Sequence, residues 1–151
     1  MQLADAAAMF TSMLHAIDAK DWEGVRETFA DHVDIDYSSL FGAPAARTSA
    51  DDLVGGWQRF AGGFDATQHV TGPVLVSAAA GGAEAHTHVR AYHHVAGQPG
   101  GDVWMVAGHY QVRLAPSPGG WKIAGITLQV FYQEGNMAIP DAARLRAAAA
   151  Q

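Results

Sequence analysis

Asp18 and His69 are the residues of this chain whose types and positions best suit acid–base chemistry. Apolar side chains recur at steps of three and four from Leu3 to Leu14, and Asp18 continues this stripe on the same face of a predicted helix. An ionised carboxylate in an apolar interior needs a partner or a raised pKa. Because His69 begins a predicted strand that enters the same interior, the pair predicts a general base with its orienting carboxylate.

Both residues also have a structural interpretation. Asp18 would then belong to a polar turn, reaching Asp21, that ends the first helix. His69 would be a hydrogen-bonded strand residue, because both faces of its strand are largely apolar and alternation alone does not show which is buried. A carboxylate at a helix C-terminus also meets the negative end of the helix dipole, which tends to raise its pKa.

His93 and Tyr37 are two further candidates. On a predicted strand over 83–95, His93 belongs to the more apolar face, so we expect it to point inward, although a histidine at a strand end can also reach solvent. Tyr37 lies on the apolar side of an alternating segment. Its hydroxyl would donate a hydrogen bond to a substrate oxygen, or would simply lie at the rim of the core.

A pair of histidines raises the question of a metal site. His86 and His88 are two positions apart on the predicted strand and face the same way, as two metal ligands would. No third ligand from Cys or a carboxylate stands at a recognisable spacing, and nothing in the sequence requires His109 to lie nearby. We therefore predict an exposed polar face and no metal.

The composition indicates one globular domain spanning residues 1–151. Apolar residues make up 49% of the chain and charged residues 16%, with a net charge of −6. The absence of a Lys/Arg cluster argues against nucleic acid or an anionic membrane as a partner. The chain has no cysteine, so disulfides and thiolate chemistry are excluded. No apolar stretch is long enough to cross a bilayer, and we expect a cytoplasmic protein.

Periodicity and turn residues predict the elements that position these side chains. The N-terminal half reads as a helix over 3–18, a short helix capped by Asp21, a strand over 33–37, a loop over 38–48 and a helix from Ser49 to Gly63. The remainder reads as long strands over 67–78, 83–95, 102–115 and 120–133, then an Ala-rich tail, 136–151, forming a short helix or a flap.

Helices first and strands afterwards predict an α+β fold. We expect N-terminal helices packed in a strongly curved, mostly antiparallel sheet, a cone-shaped barrel whose open mouth leads to a pocket. Its aromatic residues are expected in the core or the pocket wall, which favours an apolar or aromatic ligand; they are Trp57, Phe60, Trp104, Trp121 and Phe131.

Five short segments resemble a known family. They are Ile17–Trp22, Val33–Tyr37, Thr67–His69, Val89–His93 and Gly120–Gly125, which occur in the family order between residues 10 and 134. The chain is similar to the SnoaL-like branch of the nuclear transport factor 2-like superfamily. Within it, the chain most resembles scytalone dehydratase and more loosely the hexachlorocyclohexane dehydrochlorinases.

The resemblance implies a cone-shaped α+β barrel, no cofactor and a homo-oligomer, usually a trimer. It also implies an Asp–His dyad, here Asp18 with His69, and a second pocket histidine, here His93. A tyrosine that polarises a carbonyl through water would be Tyr37. These residues would act on a small-molecule carbonyl substrate.

Two departures from scytalone dehydratase limit the inference. That family has a second tyrosine where this chain has Ile17, and it has a Ser and an Asn where this chain has Gly108–Gln111. Scytalone itself is therefore not the expected substrate. The predicted function is a cofactor-independent lyase of the dehydratase type acting on an apolar or aromatic, polyketide-like carbonyl compound. An isomerase or cyclase with the same dyad, a non-catalytic binding protein and a purely oligomerising subunit are the alternatives.

Overall fold

The computed structural model describes residues 1–150, which form five helices and seven strands. The helices are α1 (Leu3–Asp18), α2 (Trp22–Thr28), α3 (Ser38–Phe41), α4 (Ala50–Ala61) and α5 (Ile139–Ala149). The strands are β1 (Phe29–Asp36), β2 (Ala46–Ser49), β3 (Ala66–Thr71), β4 (Leu75–Ala79), β5 (Gly82–His94), β6 (Val103–Ser117) and β7 (Gly120–Gly135).

All seven strands form one curved sheet that does not close on itself. The strand order is β2-β1-β7-β6-β5-β3, and β4 pairs with another part of β5. Neighbouring strands are antiparallel except for β1 and β7, which run parallel. The N-terminal helices lie against this sheet, so the predicted α+β fold is confirmed.

The first helix packs across the concave side of the sheet. Its buried side chains include Ala6, Phe10 and Met13, whereas Leu3 is 38% exposed. The apolar stripe therefore begins one turn later than the sequence analysis placed it. Asp18 is the last residue of α1, and α1 contacts β3, β4 and β5, so its C-terminal end brings Asp18 to the first of these strands.

Two predicted segments are divided differently in the structure. The expected strand over 67–78 is interrupted at Gly72 and Pro73, where proline lacks the N–H that a continuous strand would donate, and β3 and β4 result. The expected loop over 38–48 contains α3 and β2. The Asp36 carboxylate accepts hydrogen bonds from the backbone N–H and the hydroxyl of Ser38, which starts α3.

One aromatic residue lies outside the predicted core. Phe131 is 54% exposed because Ala107 pairs with Tyr132 while Gly108 pairs with Val130, which makes Phe131 the extra residue of a β-bulge. Trp121 is buried as predicted, and its indole N–H donates to the carbonyl of Gln2.

The tail forms a docked helix. Ile139 and Ala143 of α5 are fully buried. A Cβ at Gly63 would lie 1.9 Å from the Ala143 carbonyl oxygen, so only glycine allows this approach of the two backbones. Arg146 also pairs with Asp65 at 2.9 Å. In residues 1–150, no helix has the length and apolar character needed to span a membrane.

Candidate active site

Asp18 and His69 lie together where the end of α1 meets β3. The Asp18 Oδ1 atom is 2.7 Å from His69 Nδ1, and Asp18 Oδ2 accepts the backbone N–H of His69 at 2.8 Å. The Thr67 hydroxyl donates to Oδ1 at 2.9 Å. Both carboxylate oxygens are thus occupied, and the aspartate is held by one strand at three points.

These hydrogen bonds determine the protonation of the pair. Burial raises the pKa of Asp18, but the hydrogen bonds and the charge of His69, together with the Thr67 hydroxyl, outweigh it and leave the Asp18 pKa below its ordinary value. An ionised carboxylate only accepts hydrogen bonds, so His69 Nδ1 carries the proton. In the neutral form of the ring, His69 Nε2 then has a free lone pair, and the His69 side chain, 11% exposed, lines the interior cavity.

His93 lines the same cavity, and its ring is fixed by neighbours. The ring stacks on Trp104 with 4.3 Å between centroids, and Nδ1 lies 3.2 Å from the Trp104 carbonyl oxygen. Burial, and next the charge of His69, lowers the pKa of His93 to about 4. His93 is therefore neutral at pH 7, with Nδ1–H donating to the carbonyl and Nε2 acting as an acceptor.

The lowered pKa of His93 predicts a loss of stability in mild acid. Between pH 6.5 and 4 the unfolded chain binds a proton at this position and the folded chain does not, so stability falls as pH falls through this window. From pH 7.5 to pH 5 the loss amounts to about 2 kcal/mol. Urea unfolding at both pH values should show this loss in the wild type and in the control His15→Gln, an exposed position on α1. If His93→Gln shows the same loss, the assignment is wrong.

The cavity is apolar apart from a few polar side chains. Its volume is about 130 Å³. Its polar members are Thr67, His69, His93, Tyr37 and Tyr110. Its apolar wall consists of Met13, Ile17, Trp22, Leu40, Phe41, Trp57, Phe60, Ala61, Phe64, Val89, Ala91, Trp104, Val106 and Leu128. Such a space suits a small apolar or aromatic molecule with few polar groups.

Tyr37 and Tyr110 bring two phenol groups to this cavity from different elements. Tyr37 follows β1 and caps α3, while Tyr110 lies on β6. Burial and the neighbouring Tyr110 raise the pKa of Tyr37 well above its ordinary value, and burial raises the pKa of Tyr110 to about 12. Both groups therefore remain protonated donors at neutral pH. Tyr110 was not predicted from the sequence, although an even spacing along β6 places it on the same buried face as Val106 and Val112.

His86 and His88 lie on the opposite face of β5, away from the cavity. The ring of His109 lies across from them, 5.3 Å from the His86 ring and 5.9 Å from the His88 ring. His86 Nε2 is bonded to Glu84 at 2.6 Å. Over residues 1–150, no group of three or more His, Asp or Glu side chains is arranged to hold a metal ion.

The chain matches one known domain family and shares its fold with solved structures. Residues 3–127 match the model of the SnoaL-like domain. No protein with a curated description matches the chain. Among solved structures, the Kfla4162 protein of Kribbella flavida is 28% identical, with a TM-score of 0.83 over 93% of this chain and 95% of that chain.

Two further solved structures share the fold at lower identity. A candidate scytalone dehydratase from Novosphingobium aromaticivorans is 18% identical, with a TM-score of 0.70 over 87% of this chain and 85% of its own. The type 3 hexachlorocyclohexane dehydrochlorinase of Novosphingobium barchaimii is 17% identical, with a TM-score of 0.67 over 89% of this chain and 92% of its own.

Proposed function

The chain belongs to the SnoaL-like domain family, and we propose that it is a cofactor-independent lyase that dehydrates a small apolar or aromatic carbonyl compound. The observation that carries this proposal is the position of His69. Its Nδ1 is held by the Asp18 carboxylate at 2.7 Å, while its ring faces an apolar cavity. A histidine oriented in this way is a general base directed at whatever the cavity holds.

The reaction begins with proton abstraction. His69 Nε2 removes a proton α to the substrate carbonyl, and the ionised Asp18 stabilises the imidazolium that forms. The electron pair of the broken C–H bond moves onto the carbonyl oxygen as an enolate. The Tyr37 and Tyr110 hydroxyls are the donors available to that oxygen, because both residues line the cavity and stay protonated.

Elimination completes the reaction. The enolate reforms the carbonyl, the new C=C bond forms, and the β-hydroxyl leaves with the proton carried by His69, so that one water is released and the base is restored. His93 could protonate the departing hydroxyl only with a positively charged ring. Because its lowered pKa keeps His93 neutral at pH 7, we instead propose that His93 Nε2 accepts a hydrogen bond from the departing hydroxyl and orients it.

The neutral state of His93 favours isomerisation as a second candidate function. A cavity whose second histidine is neutral lacks a separate acid for a leaving group. An isomerase would need only the base, the enolate and return of the proton to another carbon. The structural relatives named for dehydration and dehydrochlorination support elimination, because both names describe loss of a small molecule across a carbon–carbon bond.

The experiment is a screen of aromatic β-hydroxy ketones in deuterated water, followed by mass spectrometry. We expect a product lighter by one water, together with deuterium exchange α to the carbonyl in recovered substrate. Deuterium exchange with a product that has lost no water would favour the isomerase. If the ligands bind but neither exchange nor turnover occurs, the chain is a binding protein and the lyase proposal is wrong.

A further inference from the structure

A second depression adjoins the cavity on its outer side. It has a volume of about 500 Å³ and lies where α4 and α5 approach each other. Four aromatic side chains line both spaces; they are Tyr37, Phe41, Trp57 and Phe60. The outer groove therefore adjoins the cavity at these side chains, and a ligand that passes between them would occupy both spaces.

Two arginines line this outer groove. The Arg144 guanidinium of α5 lies over the rings of Phe41 and Phe60, at 5.4 Å and 5.1 Å from their centroids. The Arg59 guanidinium lies along α4, where a Cβ at Gly55 would be 3.5 Å from one of its terminal nitrogens. Both helices thus present a guanidinium beside the aromatic walls that continue into the cavity.

These positive charges are poorly compensated. Within residues 1–150, no carboxylate lies within ion-pair distance of Arg59, and no acidic residue lines the groove. Arg144 contacts Asp141 at 3.0 Å, but the Asp141 side chain is 83% exposed. An exposed ion pair of this kind is weak, so Arg144 retains capacity for a second anion. The chain as a whole carries a net charge of −6, so the positive charge of this groove is opposite in sign to that of the whole chain.

We propose that the groove binds a carboxylate on the substrate whose carbonyl-bearing apolar part occupies the cavity. The inference rests on the proposed function for the placement of the carbonyl, and it adds an acidic group at the opposite end of the molecule. Guanidinium groups bind carboxylates through two parallel N–H donors, which gives direction as well as attraction. The aromatic walls between the two ends select a flat apolar spacer.

The test compares two probes that differ only in charge, an acetylnaphthoate and the matching acetylnaphthamide. Binding is followed by quenching of tryptophan fluorescence, because Trp57 and Trp104 line the cavity. We expect the carboxylate to bind the wild type about tenfold more tightly than the amide at low ionic strength, and the difference to shrink with added salt. Arg59→Gln and Arg144→Gln should each reduce this preference, and the double variant should abolish it.

Three controls make the result specific. Arg90→Gln removes one positive charge from the outer face of β5 and should keep the tenfold preference. Arg144→Lys keeps the charge but not the paired donors, and should fall between the wild type and Arg144→Gln. Thermal unfolding identifies variants that lose the α5 packing. If Arg144→Gln is one of them, the carboxylate site is tested by Arg59→Gln alone.

The outcomes separate this inference from the lyase proposal. Equal affinities for the two probes in the wild type, binding of neither probe, or a preference that survives the double variant would overturn the carboxylate site. A His69→Asn protein should lose proton exchange yet keep the preference for the carboxylate. If the wild type prefers the carboxylate but catalyses no exchange on any carbonyl compound, the lyase is refuted while the anion site stands.

Discussion

Replacing His69 with asparagine is expected to lower the rate of dehydration by a factor of about 10²–10⁴. The asparagine amide can still donate to Asp18 in place of His69 Nδ1–H, so the local structure is kept while the basic Nε2 is lost. The measurement is the rate of deuterium exchange α to the carbonyl, and of water loss, on a substrate found in the screen.

The matched control is His86→Asn. His86 lies on the outer face of β5, away from the cavity, and this variant should turn over substrate like the wild type. Wild-type exchange in His69→Asn would show that another group abstracts the proton, and the mechanism proposed above would have to be abandoned.

Replacing Asp18 with asparagine is expected to lower the same rate by about 10²–10⁴, although Asp18 itself does not line the cavity. The amide introduced by Asp18→Asn would donate to His69 Nδ1, which places the proton on Nε2 and removes the lone pair that acts as the base. The loss of a carboxylate also removes the charge that stabilises the imidazolium. The variant is assayed beside Asp5→Asn, an exposed carboxylate in the first turn of α1 that should have no effect.

A pH series separates this positioning role from a purely structural one. The lowered pKa of Asp18 means that its carboxylate stabilises the fold above pH 3.8, its ordinary value, and that this contribution is lost as pH falls through the folded-state pKa. Urea unfolding should therefore show Asp18→Asn less stable than the wild type at pH 7, with the difference shrinking below pH 3.8. A variant that loses stability but not turnover would assign the pair a structural role alone.

The candidate site was more predictable than its surroundings, because the periodicity of a helix or strand determines which face each side chain occupies. The helical stripe ending at Asp18 and the alternation around His93 and Tyr37 were enough to direct these residues toward one interior. The structure brings all of them to or behind the cavity with His69. Their catalytic roles remain predictions.

The features that sequence reasoning missed depend on pairing between distant segments. Phe131 is exposed because a bulge in the pairing of β6 and β7 shifts the alternation by one residue, and nothing in the sequence around it marks that bulge. The sequence of β2 indicates a loop, because its four residues lack a strand pattern of their own; in the structure they form a strand by pairing with β1. Tyr110 carries the right alternation on β6, but its approach to Tyr37 depends on how the whole sheet curves.

The parallel pairing of β1 with β7 affects the order in which the parts of the chain fold. Asp34 pairs with Gly125 and Ile35 with Ile126, so a strand near the start of the chain finds its sheet partner only near the end. Contacts so far apart in sequence are slow to form, because a long loop must close before they stabilise anything. The Tyr37 side of the cavity, which follows directly on β1, is therefore completed only after the final strand has been synthesised.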